Sequence, residues 1–340
     1  MPELTNKKVD IVAVAKRAKV SISTVSRSFN HPEQVKPSTR KKIDKAVRKL
    51  GYIRNRAAQT MHGIRSATIG LVVPTIDHAI FAELVQAFSD AVEAQGFTIL
   101  LASHGYDLER EYAITRKFLE HRVDGVALIG LDHSQETYHL LASNQIRAIS
   151  VWNYDANSPL SCVGADNARA GALAGGHVVG LGHRDIGLVF PPTQDNDRAR
   201  ARRNGVEQVL ADAGLEVPQA WRLESPYSLS EAKDAVGELL AQSHRPTALI
   251  CGNDVLALGA IYAAKAQGLD VPGDLSVIGI GDFKGSREME PPLTSVHLPA
   301  RDIGRLAGAQ LAGSIINNRD TVERTDCPIH LTIRATCRAL

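Results

Sequence analysis

Between Thr68 and Ile280 the chain alternates short apolar runs with amphipathic stretches, and few architectures accept that rhythm. Apolar runs at 68–73, 97–102, 123–130, 147–152, 185–190, 247–252 and 275–280 have the length and composition of strands. Between them, residues 107–121, 134–143, 167–180, 197–213, 229–242 and 254–267 have helical spacing. An earlier helix puts Phe81, Leu84, Val85, Phe88 and Val92 on one face before Gly96 ends it. Strands separated by helices join as parallel βαβ units, and the rhythm restarts after Asp166. We therefore expect an α/β core of two doubly wound parallel-sheet lobes, with a ligand at the carboxyl ends of the strands, in the cleft between them.

Nothing in that core suggests chemistry on the ligand. It has no Walker loop, GxGxxG, nucleophile elbow or HExxH, and Gly279-Ile-Gly281 follows a strand but lacks the third glycine. The four cysteines, Cys162, Cys251, Cys327 and Cys337, are far apart and read as reduced structural thiols, so neither a disulfide framework nor a metal site is indicated. No cofactor and no enzymatic activity are expected, because a metabolic enzyme would need a reactive constellation in the cleft.

The first 66 residues are of another kind. They hold 16 Lys and Arg against 4 Asp and Glu, a net of +12, while the rest of the chain holds 23 against 33, a net of −10. The overall charge of +2 conceals this division. A basic head on an acidic body points to a polyanionic partner for the head alone. The N-terminal stretch lacks an apolar signal region, and no run of about 18 apolar residues occurs, so a cytoplasmic location is expected. A secreted solute-binding protein, the main rival, would need a signal peptide and would leave the head without a purpose.

Within the head, Asp10 reads as the N-cap of a short helix with Ile11, Val14, Ala15 and Ala18 on one face. After a turn at Lys19-Val20, Ser21 caps a second helix over about 21–29, whose Val25 and Phe29 form a buried pair. Pro37 opens a third with Ile43, Ala46, Val47 and Leu50 inward, and Gly51 stops it. Two short helices joined by a tight turn make a helix-turn-helix. Ile22, Ser23, Ser26 and Arg27 then face outward, as on a recognition helix in a major groove. Arg27 can fork onto guanine, Ile22 can meet a thymine methyl, and Ser21, Thr24 and Asn30 suit phosphate oxygens.

The stretch VSISTVSRSFNHPEQVKPSTRKKIDKAVRKLGYIRNRAAQTM resembles the head of the lactose-repressor (LacI-type) family. That resemblance implies a homodimer on a pseudo-palindromic double-stranded DNA operator. Ile22 and Ser23 would be its specificity pair and Arg27 a base reader, Asn55 would be a DNA contact leading into a hinge helix, and Met61 an apolar wedge in the minor groove. Residues 56–62 are too few for a stable helix alone and should order only when paired on DNA. The sequence departs from the family pattern at Ala13 (usually Asp), Lys36 (usually Ser or Thr) and Arg54 (usually Pro).

The body also resembles the family, through TIGLVVPTIDHAIFAEL, HRVDGVALIG, GADNARAG, RARRNGVEQVLADAGL and PTALICGNDVLALGAIYAAKAQGLDVPGDLSVIGIGDF, and through the family the periplasmic sugar-binding proteins. The implied division is a DNA-binding domain at 1–55, a hinge and linker at 56–66, and an effector-binding and dimerisation core at 67–340. In that core, lobe one spans about 67–165 and 295–323, and lobe two about 166–294 and 324–340. The implied effector residues are Ile80, Phe81, Arg202, Tyr227, Asn253 and Asp282, although Gly281 takes the place most members give to Asp. Phe81 also reads as core, Asp254 as a helix cap, and Arg198, Arg200 and Arg203 as a solvated helix face. Arg198 nonetheless joins the effector candidates, since nearby arginines and the Gly-Ile-Gly-Asp turn favour a sugar acid over a neutral sugar. A purine-responsive regulator of the same fold is the alternative.

Overall fold

The computed structural model describes residues 9–53, 65–77 and 79–340, with the side chains of residues 79 and 80 outside the description. Asn55, Met61 and most of the expected hinge at 56–66 lie outside the described residues, as does the Ile80 side chain. The chain divides into two compact units, Met1–Ser66 and Ala67–Leu340.

In the first unit the caps set the helix boundaries. Asp10 accepts the Ala13 N–H at 2.8 Å to start α1 (Ile11–Ala18). Ser21 accepts the Thr24 N–H at 3.1 Å to start α2 (Ile22–Asn30). Lys36 has no acceptor to offer, so α3 (Pro37–Leu50) opens without a side-chain cap and relies on Pro37, whose missing N–H costs nothing there. Gly51, with φ +62°, closes α3 in a left-handed turn. Val14, Ala15, Ala18, Val25, Ile43 and Ala46 form the core, flanked by Phe29 stacked on Tyr52. Full burial of Val25 and Ile43 contributes about 1.5–3 kcal/mol each.

The second unit begins with β1 (Thr68–Val73), α4 (Ala79–Glu93), β2 (Thr98–Ser103), α5 (Leu108–Glu120), β3 (Gly125–Ile129), α6 (Gln135–Ser143), β4 (Arg147–Asn153) and β5 (Ser161–Ala165). It continues with α7 (Asn167–Gly180), β6 (Ile186–Phe190), α8 (Asp197–Asp212), β7 (Arg222–Glu224), α9 (Leu229–Leu240), β8 (Ala248–Cys251), α10 (Asp254–Ala266) and β9 (Ser276–Gly281). The remaining elements are β10 (Thr294–His297), α11 (Ala300–Ile316), β11 (Arg324–Asp326) and β12 (His330–Thr332). One sheet runs β11-β5-β4-β3-β1-β2, all parallel; the other runs β12-β10-β9-β8-β6-β7, parallel except for β12. Each sheet with its helices is one lobe.

The chain crosses between lobes after Ala165, His297 and Asp326. Two crossings thus fall about three residues later than the positions near 294 and 323 implied by resemblance, because β10 still pairs with β9 and β11 still pairs with β5.

Glycines let α7 and α8 pack backbone to backbone. A Cβ on Gly171 would stand 1.9 Å from the Arg202 carbonyl oxygen, and one on Gly205 the same distance from the Ala168 carbonyl oxygen. No side chain fits at either place, and the resulting contact fixes where α8 carries its arginines.

Candidate functional site

Phe81, Tyr106 and Trp152 from the first lobe meet Arg198, Arg202, Tyr227, Asn253 and Phe283 from the second around a cavity of about 20 Å³, room for roughly one water. A wider opening of about 490 Å³ shares Tyr106 and Tyr227, whose rings lie 6.0 Å apart, and adds Pro74, Pro191 and Pro226. Phe81 packs on Trp152 at 5.6 Å. Trp152, one residue before the end of β4, has φ +90°, an unfavourable backbone for a bulky residue, and such strain gathers at ligand clamps.

Arg202 is 5% exposed. Its Nε donates to Asn167 Oδ1 at 2.7 Å and one terminal nitrogen to the Gly252 carbonyl at 2.9 Å. No carboxylate lies within 4.0 Å of this guanidinium among the described residues. Burial pulls its pKa below the usual arginine value.

Arg198 is also buried, but it is paired. Its guanidinium meets Asp197 Oδ1 at 2.8 Å, and although burial works to lower its pKa, that carboxylate holds it above the ordinary value. The same pair bridges the lobes: Asp197 Oδ2 accepts the Leu131 N–H at 2.7 Å and an N–H of Asn153, and Arg198 donates to the Ile129 carbonyl at 3.3 Å. Arg200 adds a two-pronged bond to Asp132 at 2.7 and 2.8 Å. A solvated face is therefore the wrong description of Arg198, while the Arg200 side chain stays 40% exposed but is tied to the other lobe through Asp132. The start of α8 is a clasp between the lobes.

Asn253 caps α10, accepting the Leu256 N–H at 2.9 Å, so the capping role falls to it and not to Asp254. Asp254 is fully buried and binds the Phe283 N–H and the Ser286 and Ser295 hydroxyls; burial raises its pKa despite these donors.

Asp282 does not line the cavity. Burial would raise its pKa, but His297 at 3.1 Å and Arg334 at 2.6 Å engage its carboxylate and lower it. Gly281 explains the exchange of roles: a Cβ there would fall 2.0 Å from the Phe283 ring, which fills the space a side chain at 281 would need. Tyr106, Trp152, Asn167 and Phe283 were not among the expected site residues.

In the head, Ile22, Ser23 and Arg27 are exposed on α2, with Ile22 at 46%. Ser21 is the hub of the helix start, bonding the hydroxyls of Ser23 at 2.8 Å and Thr24 at 2.7 Å, while Asn30 donates to Ser26 at 3.3 Å. Half-buried Thr24, Ser26 and Asn30 flank the exposed face.

A helix-turn-helix unit in one chain with a two-lobed, cleft-bearing core defines a DNA-binding regulator that carries its own small-molecule receptor. Residues 10–55 match the family described as bacterial regulatory proteins of the lacI family, and residues 66–335 match the periplasmic binding proteins and sugar-binding domain of the LacI family. The chain belongs to the LacI family and is a DNA-binding transcriptional regulator. Among its relatives is the HTH-type transcriptional repressor PurR of Salmonella paratyphi B, 32% identical over 309 residues covering 90% of each chain. The Lac repressor dimer bound to operator and the anti-inducer ONPF superposes with a TM-score of 0.85 at 26% identity, over 98% of this chain and 100% of that one. The transcription regulator GntR from Chromobacterium violaceum gives 0.74 at 28% identity, over 79% and 98%. Among the described residues no helix is long and apolar enough to cross a membrane.

Proposed function

We propose that this regulator is a homodimeric repressor of a carbohydrate operon whose operator affinity is set by a sugar acid in the inter-lobe cleft. The observation that carries the acid is Arg202. A desolvated cation without a counter-ion is costly, and a ligand carboxylate is the partner its remaining N–H groups lack. Arg198 already has Asp197, whereas Arg202 has only the more distant Asp254, so the cavity keeps one positive charge without a carboxylate in contact. Asn253, its oxygen taken by the cap, offers its amide nitrogen to ligand oxygens. Phe81, Trp152 and Tyr227 supply faces for the carbon skeleton. A sugar acid exceeds the small cavity and reaches into the adjoining opening, so binding shifts the relative angle of the lobes and acts on the clasp at Asp197 and Arg200, which changes the spacing of the two hinges.

In the same reading Ile22, Ser23, Ser26 and Arg27 face the bases, Ser21, Thr24 and Asn30 contact phosphates, Asn55 is a further DNA contact, and Met61 enters the minor groove. Two surfaces suit the dimer: the open edge of β2, where Leu101 is 40% exposed, and a groove lined by Leu229, Leu258, Tyr262 and Met289.

A purine effector is the second reading, favoured by the rings of Phe81, Trp152 and Phe283 around the cavity. A thermal-shift titration of the full-length protein separates the two. Gluconate and related acids should raise the midpoint and purine bases should not; a shift with purine bases or neutral sugars alone defeats the acid reading.

A further inference from the structure

Behind Tyr106 lies a buried group of three titratable side chains that the cleft does not use. Glu111 on α5 is 0% exposed, His104 just beyond β2 is 3%, and His133 between β3 and α6 is 8%. His133 Nε2 faces the Gly130 carbonyl at 3.1 Å and must donate a hydrogen to it. Its Nδ1 stands 2.9 Å from Glu111 Oε1, so one proton resides between these two atoms whichever of them carries it. His104 Nδ1 faces the Asp107 carbonyl at 3.2 Å and is likewise a donor, which leaves a lone pair on Nε2. That lone pair looks at Glu111 Oε2 across 3.9 Å, and neither atom has a hydrogen-bond partner among the described residues.

The group is joined to both the cleft and the clasp. The His104 ring is 6.4 Å from that of Tyr106, a cavity wall. His133 holds the Gly130 carbonyl at the turn where Leu131 and Asp132 meet Asp197 and Arg200. The charged and titratable groups that face His104 are Glu111 from α5, His133 from the turn after β3 and Arg198 from α8, with Tyr138 of α6 packed edge-on against His133.

We propose that His104, Glu111 and His133 are a proton-linked positioning device, in which His104 Nε2 takes up a proton toward Glu111 Oε2 and thereby strengthens binding of an acidic effector. The coupling rests on the acid reading of the cleft. Without ligand, burial and the positive charge of Arg198 oppose that proton, while Glu111 favours it. A carboxylate beside Arg202 adds negative charge to the same region, so ligand and proton bind with positive cooperativity. Neither histidine touches the ligand; the effect travels through Tyr106 and the Gly130 turn.

The test follows the histidine ring resonances of full-length protein by NMR between pH 8 and 5, with and without gluconate, alongside gluconate affinity at pH 7.5 and 5.5. Wild type should bind gluconate about tenfold more tightly at the lower pH. His104→Asn, which keeps a donor toward Asp107, should leave the affinity at pH 7.5 unchanged and abolish the gain. The His104 midpoint should rise with gluconate and fall in Glu111→Gln. Equal gluconate affinity at both pH values overturns the device and leaves the acid reading intact. A His104 midpoint indifferent to Glu111→Gln overturns the device by a route that needs no ligand. Failure of gluconate to bind at any pH overturns the acid reading and the coupling together.

Discussion

The carbonyl oxygen of Arg202 sits where a Cβ on Gly171 would be, 1.9 Å from its ideal position. Position 171 therefore controls a side chain in the cleft that it never touches. Gly171→Ala should push α7 from α8, cost about 2 kcal/mol or more in urea denaturation, and weaken any effector response. Unchanged stability would mean that the helices separate more easily than this contact implies.

Arg202→Gln should abolish the response to acids while leaving operator affinity without effector within about twofold, since the head is a separate unit. Melting curves with gluconate and operator binding without it check the two halves. A variant that still responds to acids shows that the counter-ion lies elsewhere.

Arg27→Ala should cost about 1–3 kcal/mol on the true operator and relax specificity there. Binding to a panel of single-base operator variants distinguishes this from a phosphate contact, which would lose affinity equally on all DNA.

Burial lowers the pKa of His104, His177 and His183 below 6.5. The folded chain thus binds fewer protons than the unfolded one just below that value. The stability these groups contribute is complete above about pH 6.5 and declines as pH falls through the folded-state values. Denaturation at pH 7.5, 6.5 and 5.5 should show that decline, and a double variant His104→Asn, His183→Asn should make it shallower, leaving the part due to His177. A flat wild-type profile contradicts the assignment.

Caps and periodicity made most of this fold legible. Asp10, Ser21 and Gly51 mark their helix ends by local chemistry that needs no tertiary context. What escaped was mostly short or non-local, although the long helix α11 (Ala300–Ile316) was not expected either. Three-residue β7, β11 and β12 carry too little pattern to register, and Ser161–Ala165 is a strand only because β4 and β11 flank it. The site divides in the same way. Arg202 and Asn253 sit at helix positions that the resemblance picks out, and both reach the cavity. Asp282 looked equivalent in sequence, yet the left-handed turn at Gly281 and the Phe283 ring send its carboxylate to Arg334. Arg198 looked solvated because the Ile129 carbonyl it reaches lies 69 residues away in the other lobe.

The central claim is that one molecule couples an acid in the cleft to a DNA site at the head. The direct measurement is fluorescence anisotropy of full-length protein on a duplex selected from random DNA, with and without saturating gluconate. A pseudo-palindromic site should emerge, and its dissociation constant should move about 5- to 150-fold with the acid. No enriched sequence, or a specific complex that no sugar acid alters, would contradict the account.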